Sequence, residues 1–136
     1  MLEKVIIDSK LAALVIKKGT DVKQSTFLSP DDLFMQIAIF KREAGFIEAP
    51  HYHKRVIRKV NRVEQFLYLL SGEMKVFFYN DKKILSKTKT VKKGDGLLLI
   101  RGIHGLKMTK NTKAISVKQG PFMGDSEDKV NIKTKT

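Results

Sequence analysis

From Gln65 to Gln119 the chain breaks every few residues on a turn dipeptide or tripeptide, and between the breaks it reads apolar and β-prone. Ser71-Gly72, Asn80-Asp81, Lys93-Gly94-Asp95, His104-Gly105 and Lys110-Asn111 separate Gln65–Leu70, Met74–Tyr79, Ile84–Thr90, Gly96–Ile100, Leu106–Met108 and Lys113–Gln119. Nothing along the chain has sustained helical periodicity. Turn residues at such spacing, with β-branched and aromatic residues between them, predict an all-β sandwich or barrel.

The N-terminal part extends the pattern. VIID and LAALVI predict two strands parted at Ser9-Lys10, and FLSPDDLF predicts a turn at Pro30. LFMQIAIFK, residues 33 to 41, predicts a long strand with two mostly apolar faces and Gln36 as its polar exception. Residues 46 to 53 predict another, with Pro50 at an edge or bend. One domain is expected over residues 1–136, since a chain of this length with 42% hydrophobic content can bury one core. The tail from Asp125 is polar and is expected to fray unless a neighbouring subunit holds it.

Composition narrows the function. There is no cysteine, which removes disulfides, thiolate zinc sites and cysteine nucleophiles. LAALVI and FLYLL are too short to span a bilayer, and MLEKVIIDSK lacks the apolar core of a signal peptide, so a soluble cytoplasmic protein without membrane partners is expected. Twenty-seven basic against fourteen acidic residues give a net charge of +13. The lysines are scattered in pairs such as Lys17-Lys18, Lys82-Lys83 and Lys92-Lys93, with no recognition helix or aromatic stacking motif, so specific nucleic-acid binding is not expected. The same charge attracts anionic small molecules. No serine-nucleophile motif accompanies the histidines, and GDG lacks the lysine spacing of a phosphate loop.

The chemistry concentrates on three histidines. His51 and His53 stand two apart in a segment expected to be extended, where alternate residues share a face about 6.5 to 7 Å apart. Two imidazoles so placed can converge on one metal. His104 follows the apolar run LLLI, at the end of another strand.

Taken with the glycines around them, these residues resemble the two motifs of a small single-domain cupin. Gly45, His51, His53 and Gly72 fit the first; Gly94-Asp95, GLLLI, Arg101-Gly102 and His104 fit the second. The resemblance covers about residues 33 to 120 and implies a double-stranded β-helix, a jelly roll of two antiparallel sheets. It also implies one divalent transition metal (zinc, iron, manganese or nickel) held by His51, His53, His104 and a fourth ligand. Where the family usually has a glutamate, this chain has Gln65, with Glu64 beside it. Apolar alternation does not decide between them, because a one-residue slip exchanges the two; family spacing favours Gln65. A glutamine oxygen ligates without adding charge and would leave the ion more attractive to an anion. The spacer after His53 is longer than usual and carries Arg55, Arg58 and Arg62, and the proline of the second motif is missing.

Two functions follow as expectations. One is a small metalloenzyme, such as a dioxygenase, isomerase or decarboxylase, acting on a polar or anionic metabolite contacted by Arg58, Arg101, Gln36 and Tyr52. The other is a non-enzymatic ligand-binding or accessory protein, and the GPF ending at residues 120 to 122 loosely links it to polysaccharide or nucleotide-sugar pathways. The apolar faces of the strands starting at Leu33 and Gln65 predict a homodimer.

Overall fold

A computed structural model describes residues 1–134. Its strands are β1 (Leu2–Ile7), β2 (Lys10–Ile16), β3 (Thr26–Phe27), β4 (Ala38–Ile39), β5 (Gln65–Ser71), β6 (Glu73–Tyr79), β7 (Leu85–Lys92), β8 (Gly96–Leu99), β9 (Ile103–Met108) and β10 (Lys113–Lys118), followed by one helical turn, α1 (Asp125–Asp128). The protein is all-β with antiparallel sheets. A five-stranded sheet in the order β1-β2-β8-β5-β10 faces a three-stranded sheet in the order β7-β6-β9, and β3 pairs with β4 alone. Neither layer closes into a barrel.

Burial explains the strands. Ala12 to Val15 of β2 and all of β8 are buried on both faces, so each reads as a continuous apolar run rather than an alternating one. The core between the sheets joins Val5, Val15, Leu67, Leu69, Leu97 and Leu99 to Met74, Val76, Phe78 and Val91. A second cluster lies on the outer face of the large sheet, where Leu33, with Met35 and Ile37, covers Leu14, Leu98 and Ile100.

The turns are chemically fixed. At Gly72 the backbone has φ +88° and a Cβ would strike the Asn111 carbonyl, so only glycine fits between β5 and β6. Asp95, buried before β8, accepts hydrogen bonds from the amides of Lys18 and Lys92 and from the Lys17 ammonium, tying three segments together. Burial alone would raise its pKa; these donors outweigh burial and hold it below the ordinary carboxylate value.

Three expectations change. His104-Gly105 is not a turn but lies inside β9; the chain reverses at Arg101-Gly102, where Gly102 has φ +90°. The long strand expected over residues 33 to 41 shrinks to Ala38–Ile39. The Gln36 amide donates to the carbonyls of Pro30 and Leu33 at 2.9 Å each, and Ser29 holds the Ile37 amide at 2.8 Å, so local bonds replace a strand ladder. The strand expected over residues 46 to 53 does not form, and every residue from 40 to 61 is exposed. Among the described residues, the only backbone hydrogen bond within that stretch runs from the Phe46 amide to the Glu43 carbonyl. The tail contributes α1, and residues 135 and 136, part of the tail expected to fray, lie outside the described residues.

Candidate functional site

Strand register brings four segment ends together at one end of the sandwich. Gln65 pairs with Leu99 on one side and Lys118 on the other, and His104 pairs with Phe78 across the small sheet. Because Phe78 is buried, its partner His104 also points toward the space between the sheets. These residues line a cavity of about 320 Å³, to which Arg62, Arg101, Asp128 and Lys129 also contribute.

The cavity is cationic. Arg62 is neutralised by Glu64, whose Oε2 accepts from its Nη2 at 2.6 Å and Nε at 3.1 Å. Lys118 sits 5.6 Å from the Phe122 ring centroid, and Lys129 reaches Asp125 at 3.8 Å. Arg101 carries the clearest orphan: its Nε is buried and has no hydrogen-bond partner. Burial of an unpaired donor costs about 1–3 kcal/mol, more for a charged group.

His104 stands on the rim, its ring open to solvent on one side. Desolvation lowers its pKa below the ordinary imidazole value, the Gly102 carbonyl pulls upward, and Lys129 adds to the lowering. The ring is therefore neutral at pH 7. With Nδ1 3.3 Å from the Gly102 carbonyl, the tautomer that donates there leaves Nε2 with a free lone pair.

Adjacent residues 64 and 65 face different surroundings. Gln65 faces the cavity and donates from Nε2 to Ser116 Oγ at 2.7 Å, leaving its carbonyl oxygen unengaged by that bond. Glu64 is wholly buried; besides Arg62 it accepts from the Met35 amide at 2.7 Å, and its own amide donates to Gln119 Oε1 at 2.9 Å.

The other histidines lie elsewhere. His51 and His53 are neighbours, with ring centroids 5.4 Å apart and planes at 77°, but they sit on the exposed stretch and do not line the cavity. Among the described residues, no three His, Cys, Asp or Glu side chains meet in a group that could hold a metal. Of the expected substrate contacts, only Arg101 lines the cavity. Tyr52 and Arg58 are on the exposed stretch, and the Gln36 amide is spent on the turn at Pro30. Lys118 and Lys129 were not singled out from sequence; the inward alternation of Ser116 and Lys118 opposite Leu67 and Gln65 was the available signal for the first.

Compared with protein-family models, curated proteins and solved structures, the chain matches none. What fold and site define together is an all-β, two-layer protein with a cation-lined cavity at one open end. Among the described residues, no helix is long and apolar enough to cross a membrane.

Proposed function

We propose that this is a cupin-like jelly-roll protein that takes a small anionic metabolite into the inter-sheet cavity, with Arg101 as anchor. The observation that carries the reading is the unpartnered, buried Arg101 Nε beside Lys118 and Lys129, opposed on the cavity wall by Asp128 alone once Arg62 is paired. A carboxylate or phosphate in the cavity would pair with the Arg101 guanidinium in the bidentate geometry it favours. The volume suits a compact ligand, at the lower end of about 300–1,000 Å³ for small-molecule sites. The jelly-roll reading draws support from the two facing antiparallel sheets and from the way the chain crosses between them after β5, β7, β8 and β9.

The cupin resemblance also implies a metal on His51, His53, Gln65 and His104. Within one chain the donors do not fit it: Gln65 and His104 share the cavity, whereas a catalytic site takes three protein ligands and a structural site four. The binding reading therefore rests on the cations. An enzymatic reading keeps one specific support, the neutral His104 with Nε2 free to accept a proton from a ligand held by Arg101.

Thermal shift and calorimetry with phosphate, dicarboxylates, sugar phosphates and nucleotide-sugars at constant ionic strength test the proposal. One class should stabilise the protein, by about 2.7 kcal/mol at a hundredfold excess over Kd. Arg101→Gln should abolish the effect, and Arg58→Gln and a chelator should leave it intact. Undiminished binding in Arg101→Gln, or no stabilisation by any of the four classes, overturns it. Loss of binding on chelation transfers the site to a metal.

A further inference from the structure

The sandwich is open along the flank bounded by β9 and β10. Both are edge strands, each with one row of unpaired backbone groups. Leu106 and Met108 on β9 pair with the buried Val76 and Met74, so they point into the core, yet both are exposed. On β10, Ile115 and Val117 carry the outer face of the large sheet beyond the part that Leu33 covers, and they too are exposed. A core whose inward side chains meet water is incomplete.

The same chain displays material that fits the gap. Residues 40 to 61 form an arm exposed throughout, on which Ile47 is 83%, Tyr52 88% and Ile57 91% exposed, with Val56 and Val60 alongside. At about 3.3 Å per residue the arm is long enough to run the length of both edge strands, each roughly 20 Å. Its backbone is almost entirely free to pair.

Both roots of the arm are held on its own body, one on the loop around Asp21 to Ser25 and the other at the start of β5, beside Gln119 at the end of β10. At one end the Lys41 ammonium binds both Asp21 carboxylate oxygens, at 2.9 and 3.0 Å, and the Val22 carbonyl at 2.7 Å, while its amide donates to Ser25. At the other end, Glu64 is locked to Arg62, Met35 and Gln119.

We infer that two copies of the chain exchange these arms, each lying along the β9–β10 flank of the other. The contact is isologous, so every copy buries both its arm and its flank. Ile47, Tyr52, Val56, Ile57 and Val60 with Leu106, Met108, Ile115 and Val117 amount to roughly 900 Å² per copy at about 100 Å² per large side chain, a conservative figure beside the 150–250 Å² of a whole aromatic. A stable dimer needs about 800 Å² per partner. Lysines and arginines on both surfaces oppose the contact, so association tightens as salt screens them.

Sedimentation of the full chain at micromolar concentration, at low and high salt, should give twice the monomer mass, with the tighter dimer at high salt. Val56→Cys and Ile115→Cys, made separately in this cysteine-free chain with one variant isotope-labelled, should couple on mixing through a flexible bismaleimide into a mixed covalent dimer. Val56→Asp with Ile57→Asp should leave a monomer whose circular dichroism is still β. A monomer at tens of micromolar, or no mixed covalent dimer when the two single-cysteine variants are combined, overturns the inference. The mixing experiment needs no disruptive variant, and Arg101→Gln, which tests ligand binding, should leave the dimer unchanged.

Discussion

Glu64→Gln exchanges one carboxylate oxygen for an NH₂ group and tests a buried knot of polar bonds. The carboxylate is fully buried and accepts three hydrogen bonds, from Met35 N at 2.7 Å and from Arg62 Nη2 and Nε at 2.6 and 3.1 Å. A glutamine keeps one acceptor oxygen, so either the amide of Met35 or the guanidinium of Arg62 must face an NH₂ group. Hydrogen bonds to charged groups contribute about 1.5–3 kcal/mol each. Arg62 remains about a quarter open to water (28%) and stacks 4.5 Å from the Phe34 ring centroid, so it recovers part of its solvation. The net loss should be about 2–3 kcal/mol, a fall in Tm of about 8–12 °C for a chain of this size. Arg62→Leu should cost more, about 3–5 kcal/mol, because it leaves a carboxylate buried without its cation. The double variant should recover at least about 1 kcal/mol against the sum of the two. Scanning calorimetry of the four proteins completes the cycle. A Tm within about 2 °C of the parent for Glu64→Gln, or strict additivity in the double variant, would refute a coupled buried pair.

Two further expectations concern pH. Because His104 has a lowered pKa in the folded protein, the unfolded chain binds its proton first, so its contribution to stability is present above about pH 6.5 and is lost as pH falls through that value toward the folded pKa. Protonation adds a charge to the cavity, so phosphate, if it binds, should bind more tightly below that window; His104→Asn should flatten both trends in calorimetric titrations from pH 5 to 8. For Asp95, whose folded pKa is depressed, stability is present above about pH 3.8 and lost as pH falls below it, so Asp95→Asn should destabilise at pH 7 and steepen acid unfolding less than the parent's, measured by denaturant melts.

The strands legible in the sequence are those whose partners are close and whose turns are chemically marked. Gln65 to Leu99 read correctly to within two residues at each strand end because Gly72, Asn80 and the Gly94-Asp95 pair stop each strand with residues that suit the bend. His104-Gly105 misled because a glycine inside a strand looks like a turn, while the true reversal at Gly102 lacks the expected proline. Residues 33 to 41 are apolar for a different reason from a strand: Leu33, Met35 and Ile37 form a cover over the large sheet. Periodicity reports that a side chain is buried, not what it is buried against. The cavity was half legible. Gln65, His104 and Arg101 sit beside glycine and strand boundaries, but Lys118 and Lys129 belong to segments with no motif, and only the register of β10 and the position of α1 bring them in. The His51 and His53 rings lie close together, as two residues of local chain allow, but without the strand expected to align them; where they stand relative to His104 depends on where a 22-residue arm goes.

The position of β8 in the middle of the large sheet governs how the protein must be made. β2 pairs with β1 and with β8, so the β1–β2 hairpin has its second partner far along the chain, in residues 96 to 99. At about 5–20 residues per second, synthesis takes about 4–17 s to travel from Ile16 to Leu99. For that interval Ala12 to Val15, buried on both faces in the finished protein, have β1 on one edge but not β8 on the other. Until β8 is made, the nascent chain thus carries an apolar ribbon covered on one edge alone, the kind of segment a chaperone of nascent chains binds and a point where slowed elongation favours aggregation over folding.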